Sequence, residues 1–335
     1  MSDTKAKYHH LIPQTYYSAW EHGKGTLYAK SLSDNRIRER NKNKIAGIKN
    51  YHSIIAGMPI VTKEDADIIF GSLKDYIVSY EGKTISDSLD FNKTYYDFDN
   101  WIITRQDGGF VSKKRIKAEI EKVKIKDIET QWNLKYENEW AIVRDELIEK
   151  INNATTDHII EIHRDYLMRF YTILDWRSIE SNKYFIGAWK WLCGEVLHFD
   201  KINIPEEDRE LPILDTVSEE LKHELLLSYY RKFLNDEGVI YDCFLKNNEI
   251  TTFCFVVADG KETFYTSDNP AFVFEREDGS LQGVLPLSPR ILMVQCKKSN
   301  SDNYYYITHI TDEEVRYYNS QIEKNASSFI IQENA

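Results

Sequence analysis

The sequence predicts an α+β fold: a helical central region, an antiparallel sheet towards the C-terminus, and a mixed N-terminal segment packed on it. Three observations carry this. Between residues 114 and 236 apolar residues recur at helical spacing. After residue 238 the period changes to short alternating runs bounded by Asn, Asp and Gly. Hydrophobic residues make up 42% of the 335 and aromatics 13%, enough to build a substantial core. No Pro/Gly/Ser linker interrupts the chain and no internal repeat is evident, so residues 1–335 read as one integrated domain. Within it, 114–236 forms a helical subdomain and 237–310 a β-rich part.

The elements follow in order. Gly23-Lys24-Gly25 turns into a strand over Thr26 to Lys30. Thr62 and Asp65 open a helix in capping-box style, and Ala66, Ile69, Phe70, Leu73 and Ile77 extend its apolar face to about Tyr80. Trp101 to Ser112 reads as a hairpin turning at Gln106 to Gly109 and returning through Phe110-Val111. Helical patterns follow over 114–127 and 132–151. Thr156 caps a helix running to about residue 176, and further helices span about 183–198 and 218–234. Strands are expected at 239–245, 249–258, 262–266, 271–275, 291–297 and 303–308. Thr311 opens a terminal helix to about Lys324.

Net charge is −11, so bulk electrostatics do not favour nucleic acid. Two local runs do carry positive charge, Arg36 to Lys44 and Lys113 to Lys126, and such runs are more often solvated faces than binding sites. Cysteines at 193, 243, 254 and 296 form no C-x-x-C pair and have no histidine at zinc spacing. Reduced thiols, no metal and a cytoplasmic protein are the expectation. The first ten residues lack an apolar signal core, and no run approaches the length of a membrane span. Phosphate-cradling and dinucleotide-binding glycine motifs, H-E-x-x-H and G-x-S-x-G are all absent, so no cofactor is expected.

Two proline-pinned polar clusters stand at opposite ends: His10-Leu11-Ile12-Pro13-Gln14-Thr15-Tyr16 and Thr266-Ser267-Asp268-Asn269-Pro270. As an imidazole, His10 suits acid/base work or a simple turn hydrogen bond. Gln14, four residues on, would share a face with it if the segment is helical, and offers a two-sided amide. The second cluster is either a self-bonded turn or a strand-end loop presenting Ser267, Asp268 and Asn269 to a cleft. In the catalytic reading Asp268 orients His10, and Ser267 is nucleophile or phosphate ligand.

Together with Val284-Leu285-Pro286-Leu287-Ser288-Pro289, these clusters resemble the family called domain of unknown function 4238, whose members read H-[YF]-[VI]-P-Q-x-Y-L-x-x-F near the start and TSDNP then PLSP near the end. The match falls on His10, Pro13, Gln14, Tyr16, Trp20, Thr266 to Pro270, Pro286 and Ser288. Asn50-Tyr51 resembles an aromatic-ended segment of the family, and Arg177 its central arginine. Tyr17 stands where leucine is usual, and Ser178-Ile179 where Thr-Pro is common. The family brings no agreed activity, and its members tend to sit among mobile and host-defence genes. The expectation is therefore a toxin-like or defence effector, an RNA- or nucleotide-directed phosphodiesterase or hydrolase using His10, Asp268 and Ser267. Gln14, Tyr16, Asn269, Arg177 and Tyr51 would bind substrate. The alternative is a non-catalytic sensor that binds a ligand or a protein encoded in a defence operon.

Overall fold

A computed structural model describes residues 8–109, 111–180, 182–298 and 303–334. Its class is α+β. The chain forms two compact units: one from Met1–Lys49, Trp132–His198 and Asn235–Ala335, the other from Asn50–Gln131 and Phe199–Leu234.

The first unit is built on a six-stranded sheet. Its order is Phe272–Glu275, Leu281–Ser288, Ile291–Lys297, Thr251–Ala258, Tyr304–Ile310 and His158–Ile160. All neighbours are antiparallel except the parallel pair Thr251–Ala258 and Tyr304–Ile310. Alternation sends Val256, Leu292, Val294, Phe272 and Phe274 to one face, where Val315 and Ile322 of the helix Asp312–Asn325 join them. Phe253 and Phe255 are buried as well, so the central strand is covered on both sides. The helix Arg164–Arg177 ties to the sheet edge through Tyr171, whose hydroxyl donates to the Phe272 carbonyl at 3.0 Å.

A second sheet of this unit has the order Thr266–Ser267, Phe329–Gln332, Thr26–Ser31 and Ile37–Asn41. It joins the beginning and end of the chain. A two-stranded ribbon pairs Tyr8–His10 with Gly47–Lys49.

The second unit carries a three-stranded antiparallel sheet, Lys83–Ile85, Tyr76–Tyr80 and Ile102–Arg105, with the helices Lys63–Ile69, Ser88–Thr94, Lys113–Lys122 and Val217–Leu234. Phe70, Phe91, Tyr95 and Phe98 surround Trp101 with ring centroids 5.0–6.4 Å apart. Such pairs add about 0.5–1.5 kcal/mol each beyond area burial.

Several expected elements differ. The helix opened by Thr62 has the full reciprocal capping box but ends at Ile69, because the β-rich run Tyr76–Tyr80 pairs with Ile102–Arg105 instead. Among the described residues no strand returns after Ile102–Arg105 to complete the expected hairpin, and Phe110 lies outside them. The segment after Thr156 is an edge strand, His158–Ile160, before His163 turns through φ 51° and the helix starts at Arg164. The run 239–245 is helical, within Gly238–Ile250, since Ile240 and Phe244 bury one face four residues apart. Leu281–Ser288 and Phe329–Gln332 are strands that the pattern did not announce. Pro286 is tolerated because the register shifts between it and Ser288. Among the described residues no helix is long and apolar enough to cross a membrane.

Candidate functional site

The two end motifs meet in the first unit. Pro13 fixes φ at −55° ahead of the one-turn helix Gln14–Tyr17, which leads into the 3-10 turn Ser18–Trp20. These tight turns bury Tyr16, Tyr17 and Trp20 together. The Tyr16 hydroxyl donates to the Pro286 carbonyl at 2.7 Å and lies 2.8 Å from Thr266 Oγ1, which is left to donate back. Tyr17 donates to the Ser267 carbonyl at 3.1 Å, and Trp20 Nε1 to the Phe264 carbonyl at 3.0 Å. Burial pushes both tyrosines well above their ordinary pKa. Three aromatic side chains of the first motif thus clamp the strand that carries the second.

The second motif is bonded mostly to its own surroundings. Ser267 Oγ accepts the Asn269 N–H at 3.1 Å. The Asp268 carboxylate accepts the N–H groups of Ser327 and Ser328 at 2.9 and 2.7 Å, fixing the approach to strand Phe329–Gln332. Burial raises the Asp268 pKa, and those N–H bonds oppose the rise. Asn269 accepts from Ser178 Oγ and donates to the Asn325 carbonyl, each at 2.9 Å. Ser267 is wholly buried.

His10 closes the strand Tyr8–His10, opposite Gly47. A Cβ on Gly47 would stand 3.3 Å from His10 Nε2, so the imidazole lies directly on that backbone. Gln14 Nε2 is 2.8 Å from His10 Nε2, and the Asn43 carbonyl oxygen is 3.2 Å from the same nitrogen. An amide nitrogen only donates and a carbonyl only accepts. The ring nitrogen therefore has a partner for its lone pair when neutral and one for its proton when charged. Arg177 holds the main chain here, donating to the His10 carbonyl at 2.6 Å and to Glu137 Oε1 at 2.7 Å, with its guanidinium 3.7 Å from the Trp132 ring centre. Arg144 Nη1 donates to Ser18 Oγ at 2.9 Å and to the Thr15 carbonyl at 3.4 Å. His9, its neighbour on the strand, is buried because strand alternation turns it inward.

A family model described as "Protein of unknown function (DUF4238)" matches residues 8–335. The chain belongs to this family. No curated protein and no solved structure matches it.

His10, Gln14, Tyr16, Arg177, Ser267, Asp268 and Asn269 all lie in the first unit, and Tyr51 lies in the second. His10 bonds Gln14 and Arg177, and Tyr16 bonds the residue before Ser267. Among the described residues no hydrogen bond joins His10 to Asp268: the imidazole meets Gln14 and Asn43, the carboxylate meets Ser327 and Ser328. Tyr51 sits in a turn whose first residue, Asn50, has φ 58°, and its carbonyl accepts from His223 Nε2 at 2.7 Å. Burial pushes its phenol up to about 12.

Sequence reasoning did not find Asn43, Gly47, Glu137 or Arg144. Only Asn43 had a signal, its place in the basic run Arg36 to Lys44. In that run Arg38 pairs with Asp34 and Lys42 with Glu21, while Arg36, Arg40 and Lys44 are solvent-facing.

Proposed function

We propose that this chain is an RNA- or nucleotide-directed phosphodiesterase of the toxin-like or defence type, with His10 as its general acid/base. The observation that supports this reading is the pair of partners at His10 Nε2. Gln14 solvates the neutral ring and Asn43 the charged one, so a proton can be taken up and returned without moving the backbone. The neutral imidazole takes the proton of the attacking hydroxyl. The imidazolium, bonded to the Asn43 carbonyl, gives it back to the leaving oxygen.

The basic run containing Asn43 supplies the attraction for a phosphate that an acidic chain otherwise lacks. Arg177 acts as a positioning residue, since its guanidinium is buried against Glu137, Trp132 and the His10 carbonyl. Asp268 and Ser267 serve this reading from outside the chemistry: the carboxylate holds the N–H groups of Ser327 and Ser328, and the Ser267 carbonyl accepts from Tyr17 of the N-terminal motif.

The test is cleavage of RNA oligomers and of a nucleotide mixture by purified protein. His10→Gln is expected to lower the rate by about 10²–10⁴-fold at unchanged thermal stability, the usual range for one proton-transferring group. Equal rates for the two proteins would overturn the assignment.

A further inference from the structure

The turn Asn50 to Ser53 faces a chamber that the His10 site does not use. The chamber belongs to the second unit, has a volume of about 40 Å³, and is walled by Ser53, Met58, Lys124, Glu210, Leu211 and His223 among others. Three buried polar atoms on its wall have no hydrogen-bond partner: Ser53 Oγ, Glu210 Oε2 and His223 Nδ1. His223 is only 2% exposed.

One proton of His223 is placed by the contact of its other nitrogen. Nε2 is 2.7 Å from the Tyr51 carbonyl, so it must donate, and in the neutral ring Nδ1 is then a bare acceptor. Glu210 Oε2, an acceptor as well, is 3.9 Å away, too far for a hydrogen bond between them. Two buried acceptors facing one space call for a group that brings protons or positive charge. A nitrogen about 2.8 Å from each would see them roughly 90° apart, within the bend that N–H bonds tolerate.

The neighbouring space indicates what carries that group. A cleft of about 540 Å³ shares Ile55, Lys124 and Glu210 with the chamber. Six carboxylates, Asp97, Glu207 and Asp208 among them, line it against Lys117, Lys124 and Arg209, an excess of three negative charges. Arg209 is already paired with Asp215 at 2.6 Å. The ring of Tyr96, 82% exposed, stands on the same wall and offers a face to a cation.

We infer that the second unit binds a small primary amine or polyamine, its ammonium held between His223 Nδ1 and Glu210 and its aliphatic chain lying in the cleft beside Tyr96. The ligand is a cation and the His10 substrate an anion, so the inference stands apart from the proposed activity.

Isothermal titration of the intact protein with spermidine at pH 7.5 and low salt tests it, with hexanoate and n-butanol as controls and Zn²⁺ as a separate titrant. One spermidine per chain is expected, with neither control bound. Glu210→Gln keeps the shape and removes the charge, and should weaken binding at least ten-fold. Tyr96→Ala lies at the surface, keeps the fold intact, and should weaken it several-fold. Three results would each overturn the inference: no spermidine binding, affinity unchanged in Glu210→Gln, or Glu210-dependent binding of Zn²⁺ without spermidine binding.

Discussion

Arg177 donates to the main-chain carbonyl of His10 at 2.6 Å, across 167 positions of sequence. The same guanidinium pairs with Glu137 and stacks on Trp132, with its side chain 1% exposed. The end of one long helix thereby fixes the strand end that presents the candidate base. A buried cation is costly to desolvate, and removing one partner strands the other. Arg177→Leu is therefore expected to cost about 3–5 kcal/mol in urea unfolding. The double substitution Arg177→Leu/Glu137→Leu should cost less than the single one. If the single variant is as stable as the parent, the pair has no structural role.

Tyr16 links the two motifs directly. Tyr16→Phe leaves the Pro286 carbonyl and the Thr266 hydroxyl without their buried partner. The expected loss is about 1–3 kcal/mol. The phenol also sets an alkaline limit. Its folded-state pKa is raised, so its contribution is complete below the ordinary value of about 10 and is lost as pH climbs towards the folded value. Urea midpoints from pH 8 to 11 should fall for the parent and fall less steeply for Tyr16→Phe.

Asp175 gives a second pH dependence, of the same sign. Burial pushes its carboxyl up to about 7, and Asn182 Nδ2 donates to it at 3.1 Å. A carboxyl whose pKa is higher folded than unfolded stabilises the fold below the ordinary value near 4, and that stability fades as pH rises through about 7. Asp175→Asn should flatten the stability profile between pH 4 and 7 and leave the variant more stable than the parent at pH 8. Parallel profiles for the two proteins would show that Asp175 titrates normally.

Asp268 is expected to act on the last strand. Asp268→Asn replaces one acceptor oxygen with a donor facing a main-chain N–H. Amide exchange at Ser327, Ser328 and the strand Phe329–Gln332 should speed up at least ten-fold, while the helix Arg164–Arg177 keeps its protection. Unchanged exchange at Ser327 and Ser328 would remove Asp268 from this role.

The sequence was most legible where a local rule decides the outcome. Thr62 with Asp65 and Thr311 with Glu314 both form capping boxes, because the signal and the hydrogen bonds lie within one turn. The α+β class followed from the change of period near residue 238, although the first run beyond it is a helix. Strand pairing was not legible. Tyr76–Tyr80 left its expected helix for a partner more than twenty residues away, and His158–Ile160 pairs with residues beyond 300. Of the candidate site, the two motifs could be read from their residue types, and the contact of Tyr16 with Thr266 could not. Glu137 and Arg144 carry no local signal at all, since their roles come from helices packing on the N-terminal turn.

The most direct test of the account is expression of the parent and of folded His10→Gln in growing cells, following total RNA and nucleotide pools together with growth. The parent is expected to degrade RNA or drain a nucleotide pool and arrest growth, while His10→Gln, equally stable and equally expressed, does neither. Loss of RNA or nucleotides at the same rate in both strains would contradict it, because the proton chemistry would then not belong to His10.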